Sequence, residues 1–250
     1  MHFHKFNFIC LIGVLLSLSI NNNSQAQITL QAGGGIGIVI PEGDLSGTTM
    51  DYYSGKNYGL GSGFNLHAKV KAGLLGFILF GELDFNSLSN NGYSVPGEGS
   101  VDISQKIISL KAGPEFQLNI PASSLTPYFE ANIGINFFSG DVTFQGVANV
   151  PDADYVIQPA NRLGLGLGGG VIIKLNPLMR LDIGIEYNFM NLLGKSFDDI
   201  NPLVNQRLDS YLSLNDDKDP AYNPFSNVHI IGNSRSINSI QVCATLLVGI

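Results

Sequence analysis

The sequence predicts an all-β protein, an antiparallel up-and-down transmembrane β-barrel of eight strands with long extracellular loops and short periplasmic turns. Three observations carry this reading. Apolar and polar residues alternate with period two in about eight segments. The connections between these segments alternate in length. Charged residues make up only 13% of the chain, about half the ~25% of an ordinary soluble domain. Ten strands is the alternative count, because Val142 to Val147 and Phe225 to Ile231 have the composition of extra or extended strands.

The first 26 residues read as an export signal. His2, His4 and Lys5 precede an apolar run from Phe8 to Ile20, and Ser24 and Ala26 offer the small residues of a cleavage site before Gln27. The apolar run is too short for a membrane-spanning helix, which needs about 20 residues. The expected organisation is therefore a removed signal peptide, 1–26, followed by one barrel domain, 27–250. Cys10 falls in the signal, which leaves Cys243 as the single thiol of the mature chain and excludes an internal disulfide.

The first segment, 27–40, sets Ile28, Leu30, Ile36 and Ile38 against Gln27, Gln31, Gly33, Gly35 and Gly37. The second, 59–73, sets Phe64, Leu66, Ala68 and Val70 against Asn65, His67, Lys69 and Lys71. In the third, 77–88, Phe77, Leu79, Leu83 and Phe85 oppose Glu82 and Asp84. The fourth, 103–119, opposes Ile108, Leu110, Ala112, Phe116 and Leu118 to Ser109, Lys111, Glu115 and Gln117.

The fifth, 126–138, opposes Phe129, Ala131, Ile133, Ile135 and Phe137 to Glu130, Asn132 and Asn136. The sixth, 161–174, opposes Leu163, Leu165, Leu167, Val171 and Ile173 to Arg162, Lys174 and four glycines. The seventh is RLDIGIEYNF, 180–189, with Arg180, Asp182, Glu186 and Asn188 on its polar side. The eighth, 236–250, opposes Ile240, Val242, Ala244, Leu246 and Val248 to Ser239, Gln241, Cys243 and Thr245.

Segments two and three, four and five, and six and seven are joined by short links. The remaining connections, 41–58, 89–102, 139–160 and 191–235, are long. Short turns on one side and long loops on the other are the layout of a barrel whose loops lie outside the cell.

The polar faces carry twelve charges: Lys69, Lys71, Lys111, Arg162, Lys174 and Arg180 against Glu82, Asp84, Glu115, Glu130, Asp182 and Glu186. Facing lipid, a basic residue at mid-depth costs ~2–4 kcal/mol and an acid less. Twelve such penalties exceed the ~5–15 kcal/mol net stability of a domain. In a membrane the charged face therefore points into the lumen, and the apolar face meets hydrocarbon. The six bases and six acids sum to zero, the balance expected where buried charges persist by pairing. The loops and strand ends of the mature chain then hold fourteen acids and six bases.

A soluble lipocalin-like barrel is the competing reading. It would have to pack close to forty large apolar residues inside an eight-stranded cylinder, whose interior is only wide enough for its own side chains or one small ligand. It would also expose a glycine-rich polar face to water. Glycines suit a crowded inner wall instead. Aromatic residues near segment ends, Phe77, Phe85, Phe116, Tyr128, Phe137, Tyr187 and Phe189, fit interfacial girdles. Lys106 has lipid-facing parity and reads as a rim residue at the outer interface.

The export junction SQA-Q, the alternating RLDIGIEYNF and the hairpin KLNPLMRLDIGIEY at 174–187 give a chain that resembles the small eight-stranded outer-membrane barrels, such as the outer-membrane protein A transmembrane domain and porin-like β-barrel domains. The resemblance is one of pattern over most of 27–250. It implies the cell outer membrane as location, outer-membrane lipid and lipopolysaccharide as surroundings, and the barrel-assembly machinery as a partner. Such barrels usually finish on an aromatic residue, whereas this sequence finishes on Ile250.

Other signals are weak. Gly164, Gly166 and Gly169 have dinucleotide-fingerprint spacing but lead into another strand segment rather than a helix, so no nucleotide or other cofactor is expected. The run NDDKDPAYN, 215–223, offers Asp216, Asp217 and Asp219 to a cation but has Tyr222 where a calcium loop counted from Asp217 needs glycine, so no metal site is expected. His67 reads as a structural lumen residue, and nothing brings serine, histidine and acid together, so neither an enzyme nor a catalytic residue is expected. In the last loop, Asn201 and Pro202 suggest a helix start, with Leu203, Leu208, Tyr211 and Leu212 on one face, lying over the mouth or on the outer leaflet.

The sequence thus favours a non-catalytic outer-membrane barrel with a charge-paired lumen, serving envelope integrity or surface interaction. An extracellular partner would bind through loop 191–235, and nucleic acid is not expected as a partner. The alternatives are a porin-like transporter or binder of a small hydrophobic molecule and, with least support, a lipid-modifying enzyme.

Overall fold

The computed structural model describes residues 28–200 and 206–249. The signal segment and the start of the expected last-loop helix lie outside these residues. Eight antiparallel strands form a closed barrel in which each pairs with its sequence neighbours and β1 pairs with β8. They are β1 (Ile28–Gly43), β2 (Gly63–Leu74), β3 (Phe77–Val95), β4 (Glu98–Gln117), β5 (Leu125–Gln145), β6 (Ala153–Lys174), β7 (Met179–Leu193) and β8 (Ile237–Gly249). Two short helices, α1 (Thr49–Tyr53) and α2 (Gln206–Leu212), lie in the first and last extracellular connections. Phe225 to Ile231 forms no strand, and Val142 to Val147 extends β5 and the turn after it.

The periplasmic turns follow their residues. Leu75 and Gly76 both take positive φ, 54° and 86°, the conformation that matches hairpin twist in a two-residue link. The Asn176 side chain accepts hydrogen bonds from the backbone N–H groups of Leu178 and Met179, at 2.9 and 2.8 Å, and so closes the β6–β7 turn.

Two of the expected long loops are mostly strand. β3 and β4 continue to a tight turn in which Val95 pairs with Glu98 around Pro96 and Gly97, with Gly97 at φ 79°. This is the Pro-Gly arrangement of a type II turn. β5 and β6 likewise extend to Gln145 and from Ala153.

The reason these extensions escape a membrane-strand pattern is that their polarity inverts. On the outer face of β4, Leu110 and Ile108 are exposed apolar residues, while Lys106, Ser104 and Asp102 above them are polar. On its inner face, Lys111 and Ser109 give way to Ile107, Ile103 and Val101, with Gln105 the polar exception between them. β3 changes from Phe85 to Ser87 outside and from Asn86 to Leu88 inside, and β5 from Phe137 to Ser139 outside and from Asn136 to Phe138 inside. The register aligns the change: Phe85, Ile108 and Phe137 form one row, and Ser87, Lys106 and Ser139 the next on the same face.

Below this level hydrocarbon surrounds the barrel, so its interior is polar. Above it water surrounds the barrel, so the inner faces of its strands turn mainly apolar, with buried polar groups such as Gln105 and, from the last loop, Asp216 among them. At the other edge Phe77 packs edge-on against Phe116 at 5.0 Å. Phe77 to Phe85 is nine residues, within the ~9–11 that a tilted strand needs to span the hydrocarbon.

Candidate functional site

At membrane depth the lumen is filled by three lysines, each holding at least two carboxylates. Lys71 Nζ lies 2.7 Å from both Glu115 and Asp182. Lys69 Nζ is 2.7 Å from Glu130 and 3.2 Å from Glu82. Lys111 Nζ is 2.6 Å from Glu186, 2.7 Å from Asp84 and 2.8 Å from the Gln241 side-chain oxygen. Register places them: Glu82 of β3 stands opposite Lys69 of β2 on one side and Lys111 of β4 on the other.

Three cations against six acids leave this cluster acidic, unlike the balance expected from the sequence. Two of the six lumen bases, Lys174 and Arg180, lie at the periplasmic rim with no ion-pair partner among the described residues. Arg162 turns upward instead, to Asp216 of the last loop, 2.7 Å away. Neutral donors satisfy the surplus acid. Tyr128 donates to Asp182 at 2.8 Å, Asn65 to Asp84 at 3.0 Å, Gln117 to Glu115 at 2.7 Å, and both Asn132 and Asn188 to Glu186. Hydrogen bonds to a charged partner are stronger than neutral ones, which lets amides and phenols hold carboxylates out of water.

Tyr128 is not an interfacial aromatic. It shares the parity of Glu130 and Asn132, is buried in the lumen, and lies under Lys71, whose ammonium is 4.8 Å from the ring centre. Alternation alone would have assigned it to that face. Its bulk explains Gly184, where a Cβ would stand 2.5 Å from the Tyr128 hydroxyl; a Cβ on Gly170 would meet the Ile183 carbonyl first and the same hydroxyl at 2.7 Å. Gly166 is held open in the same way by Glu186 and Asn132. The space left at the centre of the network is about 20 Å³, beside Lys69, Glu130 and Glu186, room for about a single water.

His67 lies in the same polar layer, 2.7 Å from both Asn65 Oδ1 and Thr245 Oγ1. Gly164, Gly166 and Gly169 stay inside β6. In the acidic run, Asp216 is taken by Arg162 and Asn191, and Asp219 by His229 at 2.8 Å.

Above the membrane the mouth is covered. Leu208 and Tyr211 of α2 are buried against Tyr52 of α1 and against Phe144, with the Tyr211 ring 5.2 and 5.0 Å from those of Tyr52 and Phe144. Helix α2 therefore lies over the mouth. Leu212, expected on the same face, is partly buried. Arg207 stacks 4.3 Å from the Tyr53 ring and donates to the Tyr53 and Asn227 carbonyls, which ties the two loops together. Tyr58 donates to the Leu214 carbonyl at 3.0 Å, and Arg235 lies 4.9 Å from its ring. Burial pushes the Tyr52, Tyr58 and Tyr211 phenols above their ordinary value. Asp51 is held below its ordinary value, chiefly by the Thr48 hydroxyl in a reciprocal cap of α1.

A comparison with curated proteins finds no match. Among solved structures the chain is similar to Neisserial surface protein A, at 19% identity and TM-score 0.46 over 91% of this chain and 100% of that one. It is also similar to a major outer membrane protein from Thermus thermophilus, at 15% identity and TM-score 0.46 over 90% and 100%. Ail, the attachment invasion locus protein of Yersinia pestis, matches at 13% identity and TM-score 0.39 over 90% and 99%. The family model "Outer membrane protein beta-barrel domain" matches residues 9–206, most of the sequence. With its closed eight-stranded ring, apolar outer band and charged lumen, the chain belongs to the outer membrane protein β-barrel domain family and resides in the outer membrane.

Proposed function

We propose that the protein is a non-catalytic, closed barrel that presents an extracellular head for surface interaction and anchors that head rigidly in the envelope. The observation that carries the reading is the filled lumen. Six carboxylates, three lysines and their amide partners leave about 20 Å³ at membrane depth, and the aromatic lid covers the outer mouth. A solute path would require breaking buried ion pairs, each at a cost of several kcal/mol.

The head supports the second half of the reading. Its outward faces carry Glu98, Asp102, Asp141, Asp152 and Asp154 exposed, and Phe225 at its loop tip is 97% exposed. A partner with cationic and apolar groups would complement such a surface. Planar-bilayer recording tests the closed lumen: purified protein should insert without steady conductance. A stable conducting state would favour the porin-like alternative. An apolar groove of about 640 Å³ on the lipid side of β4 to β7, lined by Leu110, Ile133, Leu163 and Leu192, is the feature that favours binding of a hydrophobic molecule as the second reading.

A further inference from the structure

A roomy polar cavity lies on the barrel axis at the periplasmic end. It measures about 350 Å³ and opens below the ion-pair network, between β1, β4, β5, β6 and β7. Its charged lining residues are both cations, Lys174 and Arg180. These two are direct cross-strand partners in the β6–β7 hairpin. Like charges placed opposite each other destabilise a sheet, and no carboxylate among the described residues relieves the pair. Among the described residues Arg180 reaches only the Gly249 carbonyl, at 3.5 Å.

The rest of the wall is polar and neutral: Thr29, Gln117, Asn119, Ser124 and Thr126. Gln31, 3% exposed, projects into the same cavity and keeps its side-chain oxygen without a hydrogen-bond partner among the described residues. A buried acceptor left alone is uncommon and marks a place where a donor belongs.

We propose that this vestibule binds a phosphate group presented from the periplasm. The charge argument favours phosphate over a carboxylate. Two adjacent cations match an anion of up to two charges, and a tetrahedral group has enough oxygens for both cations and the surrounding hydroxyls and amides. A hydrogen phosphate also carries one P–OH donor, which answers the lone Gln31 oxygen. The cavity is larger than phosphate alone, so a small attached group fits beside Ser124 and Asn119. The network above it blocks passage, so the site is a receptor at the inner mouth and not an entrance. A soluble phosphomonoester, as its monoanion, shares this chemistry in full, whereas the phosphodiester headgroup of an inner-leaflet phospholipid offers anionic oxygens to the two cations but no P–OH to Gln31.

The test uses the folded full-length barrel in maltoside micelles, which contain no phosphate, titrated calorimetrically with inorganic phosphate at low ionic strength. The wild type should bind with saturable heat. Lys174→Gln/Arg180→Gln should bind at least about tenfold more weakly, and Gln31→Leu should weaken binding without touching either charge. Since the double substitution removes a like-charge pair, its temperature of gel-shift unfolding should not fall. Repeating the titration in phosphatidylglycerol nanodiscs separates the sources. Unchanged phosphate binding there supports a soluble phosphate compound, and loss of binding supports a lipid headgroup already in the site. No saturable heat from the wild type in maltoside, or equal binding by folded Lys174→Gln/Arg180→Gln and Gln31→Leu variants, would overturn the proposal.

Discussion

Lys106 and Ile108 stand two residues apart on the outer face of β4, and the medium around the barrel changes from water to hydrocarbon between them. Their cross-strand neighbours make the same change at the same height, Ser87 and Ser139 beside Lys106, Phe85 and Phe137 beside Ile108. Both halves of the barrel obey one rule, that the face toward the surrounding medium matches it. The inner face is left to pack with charges where the outside is lipid and with Tyr52, Phe144 and Tyr211 where the outside is water.

Lys111 should be the most sensitive member of the lumen network, because it holds Asp84 and Glu186 together. Lys111→Met is expected to destabilise the barrel by ~3–5 kcal/mol, the cost of leaving buried charge unpaired. Adding Asp84→Asn and Glu186→Gln should recover part of the loss. Urea unfolding in micelles, followed by the heat-modifiable gel shift, measures both steps.

The clamp between Arg162 and Asp216 fastens the last loop to the barrel through Oδ1 and Oδ2, at 2.7 and 2.8 Å. Asp216 also accepts from the Ser196 and Asn191 nitrogens. Asp216→Ala should leave the transmembrane strands intact but free the loop, with a local cost of ~3 kcal/mol. Limited proteolysis should then cut within the loop at least tenfold faster, while the gel shift of the remaining barrel persists.

Gly184 has room only for hydrogen beneath the Tyr128 hydroxyl. Gly184→Ala is expected to cost ~1–3 kcal/mol through overpacking. Combined with Tyr128→Phe it should cost less than the two single changes added together, since the same oxygen causes the clash. A double-mutant cycle in urea checks the sign of the coupling.

The lid should loosen at alkaline pH. Burial raises the folded-state values of Tyr52, Tyr58 and Tyr211 above the ordinary 10.0. Their contribution to stability is therefore complete below pH 10 and falls as pH rises from there toward the folded-state values. Ultraviolet titration should show these three phenols ionising only as the lid opens, and Tyr211→Phe should raise the pH of loop proteolysis. Asp51 acts in the opposite direction: its depressed value means that the Thr48 cap is lost as pH falls below the carboxylate range.

The membrane half of the fold was legible because lipid imposes a strict alternation. Leu83 against Glu82 and Ile183 against Asp182 declared their faces without any knowledge of partners. The extracellular half was not, because apolar-in and polar-out on Ile103 and Asp102 reverses the rule, and a reader following lipid-facing parity meets it as loop. The lumen charges were legible as a set, but pairing depended on a register that no local signal fixes. Arg162 and Asp216 are 54 residues apart in sequence and meet only when the last loop folds back. Tyr128 could have been placed from its parity with Glu130, had its aromatic character not suggested an interface. Helix α2 was visible from Leu208 and Tyr211, while its seat against Tyr52 and Phe144 required the tertiary fold.

The most direct measurement is nitroxide accessibility along β4 in phospholipid vesicles, in a Cys243→Ser background, with labels at positions 102, 104, 106, 108 and 110. Labels replacing Ile108 and Leu110 should be relaxed by oxygen dissolved in the acyl chains, and those replacing Asp102 and Ser104 by a water-soluble nickel chelate, with the crossover at Lys106. Uniform chelate access at all five positions, or oxygen access at Asp102 with chelate access at Leu110, would contradict the account.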